Sequence, residues 1–237
     1  MAIIVNTVLP QNNSGEAGLP AELEATVNAL LNGAAMLVGT IPLLPAFKRE
    51  VLQRKEGTER IRKITGVLFV ILLAATASLA INFLFIEMHM MESSQTYQQV
   101  AQNQYGVIFP VGLFLYGVLS PFAEEVVFRG VVYNRIKKQA SVWVAILLSA
   151  LLFGGYHGNL VQGIYGFAMG CLIAFVYECF GNFSYALLFH GAANVAVYTV
   201  TGSPTLYEKI MNPCCCIVFA VAAVLLCFWL YRLYRAD

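Results

Sequence analysis

The 237 residues are 59% hydrophobic and 11% charged, with 14 basic against 13 acidic side chains. A soluble domain runs nearer half apolar and a quarter charged, so the composition excludes a disordered chain and a coiled coil and argues against a soluble enzyme. The near-neutral balance calls for no polyanionic partner, which excludes nucleic acid.

Uncharged runs long enough to cross a bilayer, about 20 residues each, follow one another along the chain. Residues 25–47 and 64–86 each give 23 uncharged positions. The run 105–123 is apolar, and its helix is expected to continue through Glu124 into the basic segment beyond. Further spans are expected at 140–156, 160–177, 183–200 and 210–231. The sequence therefore predicts an all-α, polytopic transmembrane bundle of about seven spans, a single integral-membrane domain over 1–237 with no internal repeat. Its N-terminus is no secretory signal: it lacks a basic start, and Glu16, Glu22 and Glu24 precede the first apolar run.

Lysine and arginine mark the cytoplasmic loops. Segment 48–63 holds seven of them, segment 129–138 four, and the C-terminal end Arg232 and Arg235, thirteen of the fourteen in the chain. Seven spans put all three segments on one side, with Lys209 alone on the other. The N-terminus is then outside and the C-terminus cytoplasmic, in a plasma membrane.

The six cysteines, Cys171, Cys179, Cys214, Cys215, Cys216 and Cys227, show no CxxC spacing and sit among apolar neighbours. They read as small membrane hydrophobes, with acylation of the triplet Cys214 to Cys216 as the sharper alternative. Gly166, Gly170 and Ala174 form a small-xxx-small row that admits a close helix neighbour; it reads as packing, with no chemical role.

Charged groups inside a bilayer are costly and usually functional. Three clusters stand out: Glu124, Glu125 and Arg129; Phe153 and His157; His190 and Asn194. Glu125 and Arg129 stand at i, i+4 and can pair. Glu124 lies about 100° round the helix and can face elsewhere. Read one at a time, these are interfacial glutamates, an interior histidine and an interhelical hydrogen-bond pair. Read together they differ, because two of only three histidines fall in spans beside the only glutamate pair. Counted from the basic side, Glu124 is about 20 Å and His157 about 24 Å inward, but His190 only about 11 Å. His190 needs an offset helix start or a tilt to meet them. A carboxylate can take a proton from water that an imidazole holds, and histidine and asparagine donors can stabilise an oxyanion. The implied reaction is amide hydrolysis. The set Glu124, His157 and His190 could instead hold zinc with an open position, though no HExxH spacing is present. Glu125 is then the only other carboxylate, tied to Arg129, and Asn194 is a poor zinc ligand, so a metal-free site is favoured.

EExxxR, FxxxH and HxxxN, in this order on a membrane background, resemble the CPBP family of intramembrane proteases. That family includes the type II CAAX prenyl endopeptidases and the Abi proteins linked to bacteriocin processing and self-immunity. The resemblance covers roughly residues 112–200, within a motif-bearing core of about 106–200. It implies that Glu124 activates water, His157 positions it, His190 and Asn194 hold the oxyanion, and Glu125 with Arg129 supports them. It also implies a peptide bond in a membrane-associated or lipidated peptide or protein as target. A bacterial peptide such as a bacteriocin leader, a pheromone precursor or a membrane-protein tail follows by analogy. The family's metal dependence is disputed. A catalytically silent scaffold or immunity protein is the alternative, and a transporter with a proton relay the third.

Overall fold

The computed structural model describes residues 20–53 and 66–236. Glu16, the first two positions of the expected second span, and Arg54, Lys55, Arg60, Arg62 and Lys63 of the basic segment lie outside these residues. The described residues form helices only: α1 (Ala21–Leu52), α2 (Gly66–Glu87), α3 (Gln95–Tyr105), α4 (Phe109–Lys137), α5 (Val142–Tyr156), α6 (Leu160–Phe180), α7 (Phe183–Thr201), α8 (Pro204–Ile210) and α9 (Pro213–Arg235). Six of them, α1, α2, α4, α6, α7 and α9, are long and apolar enough to cross a membrane. The seventh apolar helix, α5, has 15 residues. The chain is an integral, multi-pass membrane protein.

Two of the expected boundaries fall elsewhere. Tyr105 ends the short polar helix α3, which sequence reading misses, and the span after it starts at Phe109, where Pro110 sits in the first turn and needs no N–H partner. Ile210 likewise closes α8, and the last span begins at Pro213 behind an Asn212 cap. Side-chain caps set most other starts: Ser94, Ser141, Asn159 and Asn182 each accept a backbone N–H of the first turn. Gly181, at φ +60°, closes α6 in the left-handed conformation that glycine adopts without strain.

α2, α6 and α7 form the centre. Leu73, Ile173, Tyr177, Phe180 and Phe189 are fully buried there. α1 and α9 lie outside, with only 11% of their most apolar stretches buried, and α9 covers α2. The two ends of the bundle are tied separately. At one end Lys138 pairs with Glu50 and Lys137 with Glu178, joining the ends of α1, α4 and α6. At the other end the Ile108 N–H donates to Thr26 Oγ1 at 3.0 Å, joining the starts of α1 and α4.

α5 and α6 pack closest. A Cβ at Gly154 would stand 2.4 Å from the Gly163 carbonyl oxygen, and one at Gly170 would stand 3.1 Å from Ala150. Both helices therefore need glycine where they touch.

Candidate active site

α4 carries the first cluster, and its backbone is not regular there. It is π-helical over Leu115–Leu119 and again over Val126–Tyr133, with the glutamates on the α-helical turn between. Such π turns shift side-chain direction and leave carbonyls open to other partners. The Tyr116 carbonyl takes one: Asn194 Nδ2 donates to it at 2.9 Å.

Glu125 and Arg129 are both fully buried. A buried charge is tolerated only when paired and hydrogen-bonded. Arg129 Nη1 donates to Glu125 Oε1 at 2.9 Å, and Nη2 donates to the Gly170 carbonyl at 2.8 Å. Its guanidinium lies 4.8 Å from the centre of the Phe153 ring. The small-residue row on α6 thus has a chemical part beyond packing. The helices come close enough at Gly170 for its carbonyl to reach the arginine.

Glu125 has a second partner, which the spacing does not reveal. His190 Nδ1 lies 2.7 Å from the same Oε1. A carboxylate only accepts, so Nδ1 carries the proton and Nε2 is the atom turned to Glu124, 3.6 Å from its Oε2. That distance exceeds hydrogen-bond range. Glu124 Oε1 instead accepts from the Ser120 hydroxyl at 3.0 Å. Ser120 stands one turn before Glu124 on α4, a position no motif flags.

His157 caps the end of α5. Its Nδ1 lies 2.9 Å from the Phe153 carbonyl, one turn back. The carbonyl can only accept, so Nδ1 holds the proton and Nε2 keeps its lone pair. Phe153 sits edge-on to both histidines, with ring centroids 5.0 Å from His157 and 5.5 Å from His190. The phenylalanine of FxxxH therefore fixes one imidazole by its carbonyl and braces both by its ring.

Glu124, His157, His190 and Asn194 line one cavity of about 510 Å³, with Tyr116 and Ser120 beside them. Glu125 and Arg129 lie behind its wall. The depth mismatch at His190 has a physical resolution. Phe183, at the start of α7, stacks edge-on to Phe47, whose ring packs directly on Gly130. α7 therefore starts level with Gly130, seven residues short of the end of α4. From that level Glu124 and His190 are both roughly 10 Å inward.

Among the described residues no three His, Cys, Asp or Glu side chains converge to hold a metal ion.

A buried carboxylate and two imidazoles of fixed orientation thus line one cavity inside a multi-pass helical bundle. Residues 106–196 match the family model described as type II CAAX prenyl endopeptidase Rce1-like. A curated relative, "Putative membrane peptidase YdiL" of Bacillus subtilis (strain 168), is 28% identical over 68 residues. The alignment takes in 29% of this chain, and the chain spans about 28% of the length of that relative. No solved structure matches the chain. The matched segment runs from just before the start of α4 through the site into α7.

Proposed function

We propose that the protein is an intramembrane endopeptidase acting on a membrane-associated peptide or protein. The observation that carries this reading is the meeting of Glu124, His157, His190 and Asn194 on one cavity. The match of residues 106–196 to the family model supports it, and the bacterial relative supports a bacterial membrane as the setting.

In this reading water stands between Glu124 and the unprotonated Nε2 of His157. Glu124 removes one proton as the oxygen attacks the peptide carbonyl, and later gives it to the departing amine. Ser120 steadies the carboxylate while leaving Oε2 free to work. The negative oxygen of the tetrahedral intermediate is met by His190 and by the second N–H of Asn194. With Nδ1–H committed to Glu125, His190 donates from Nε2 only as the imidazolium. Glu124 and Glu125 are its counter-charges, and Arg129 balances the second of them.

The test compares new protein N-termini across the membrane proteome in cells carrying wild type, Glu124→Gln or His157→Ala, with each variant checked for folded protein in the membrane. Termini present in wild type and lost in both variants are the expected result. Identical termini in all three would sink the reading and leave a silent scaffold.

A further inference from the structure

The cavity extends from the site toward one end of the bundle. Its outer part is lined by Met91 beyond α2, by Tyr97, Ala101 and Gln104 on one face of α3, and by Gly158 and Asn159 between α5 and α6. These belong to the end where α1 and α4 start. Lys48, Arg49, Arg135, Lys137, Lys138, Arg232 and Arg235 all belong to the opposite end. Lys209 is the one lysine or arginine among the described residues at the open end.

The short helix explains the opening. α5 rises from the basic end for 15 residues, roughly 22 Å. A hydrocarbon core is about 30 Å thick. His157 and the turn after it therefore stop below the far interface, and the space above them is the mouth, flanked by α3. Lysine and arginine mark the cytoplasmic side of a membrane protein, so the mouth faces away from the cytoplasm.

The lining also speaks to what enters. Besides Glu124 and the two histidines it holds no charged side chain, but it holds five carboxamides and six tyrosines. Carboxamides and phenols satisfy the N–H and C=O groups of an extended peptide. Asn82 pairs with Tyr165, Asn159 with Gln162 and Tyr105 with Thr201, but against an isoprenoid or acyl chain the remaining polar groups would be buried without partners, which is costly. An acidic side chain would meet Glu124, and the one cation the mechanism places there, His190, already faces both Glu124 and Glu125. Glu124 is 15 residues along α4 from its start, roughly 22 Å. An extended chain covers that in about six or seven residues.

We propose that the substrate is a neutral, extended peptide segment, about six residues or more, that enters from the non-cytoplasmic face and not a lipidated tail presented by the cytoplasm. The proposal rests on the endopeptidase reading for its chemistry, but the side of entry is independent of catalysis.

The test has two arms. In the full chain with its six cysteines replaced, Ala101→Cys and Gln104→Cys report on the mouth, and Gln139→Cys on the basic end. The two mouth positions guard against one variant failing to fold. A membrane-impermeant maleimide is added to spheroplasts and to inside-out vesicles, in wild-type and Glu124→Gln backgrounds. Mouth positions should label in spheroplasts only and Gln139→Cys in inside-out vesicles only, in both backgrounds. The reverse pattern overturns the proposal. The second arm maps the termini lost in Glu124→Gln cells. They should fall on non-cytoplasmic flanks of membrane segments, at sequences free of acidic residues. Sites on cytoplasmic flanks, or at acidic or lipidated tails, overturn the substrate assignment while leaving proteolysis standing. If no termini depend on Glu124, proteolysis fails and the substrate assignment with it, and labelling still decides the side of entry.

Discussion

Glu125→Gln removes one charge and almost no volume, yet the structure makes it a severe change. Glu125 Oε1 receives both Arg129 Nη1 and His190 Nδ1, and Glu125 and Arg129 are wholly shut from solvent. Without the carboxylate, Arg129 keeps the Gly170 carbonyl but has no counter-charge within hydrogen-bond reach. Breaking a buried pair by removing one partner costs about 3–5 kcal/mol. Glutamine makes matters worse at the second oxygen. Glu125 Oε2 is buried without a partner, and an NH₂ there would bring two N–H groups with no acceptor. Glu124→Gln differs, because that residue borders the cavity and its one hydrogen-bond partner among the described residues is a hydroxyl. It should cost under about 1 kcal/mol, the worth of one ordinary hydrogen bond. Unfolding of the purified proteins in detergent measures both. The double variant Glu125→Gln/Arg129→Gln supplies the control, since it removes both charges together and should be more stable than Glu125→Gln alone. Stability of Glu125→Gln within about 1 kcal/mol of wild type, or strictly additive losses in the double variant, would refute the reasoning.

The remaining expectations concern packing, the oxyanion and the metal. Gly154→Val should prevent folding, because its Cβ would stand 2.4 Å from the Gly163 carbonyl, a backbone atom that cannot swing aside; size-exclusion chromatography of extracted membranes reads the loss. Asn194→Ala should lower kcat by about 10²–10³, the usual cost of one oxyanion donor, measured on a Glu124-dependent cleavage site. Purified protein should hold well under one equivalent of zinc and keep its activity in a penetrating chelator; stoichiometric metal whose removal abolishes activity and whose return restores it would reverse this.

Helical spacing goes far in this chain because two of the pairs are local. Glu125 with Arg129 is an i, i+4 pair, and the sequence shows it. His190 with Asn194 has the same spacing, yet the two turn to different partners, His190 to Glu125 and Asn194 to the Tyr116 carbonyl. Spacing gives an angle about one axis, not the neighbour at that angle. The level of His190 was illegible because it depends on where α7 starts relative to α4, which Phe183, Phe47 and Gly130 decide by packing. The carbonyls of Tyr116, Phe153 and Gly170 leave no mark in a side-chain pattern, nor do the π turns of α4. α3 is illegible for another reason. Its glutamines carry neither charge nor an apolar stripe, so nothing in the run declares a helix over a cavity.

One chain of contacts links the parts that the motifs list separately. It runs from the Gly170 carbonyl on α6 through Arg129 and Glu125 on α4 to His190 on α7, whose other nitrogen faces Glu124. Each link sets the next. The close approach of α5 and α6 puts Gly170 within reach of Arg129. Arg129 holds Glu125, Glu125 fixes the proton on Nδ1 of His190, and that choice decides what Nε2 offers the cavity. A change at Gly170 should therefore reach this chain of contacts from outside the set Glu124, His157, His190 and Asn194, although a Cβ there would also press on the Phe153 ring at 3.1 Å. In the proposed mechanism the supporting pair acts as a positioning device, since charges buried this deeply hold a histidine in one orientation.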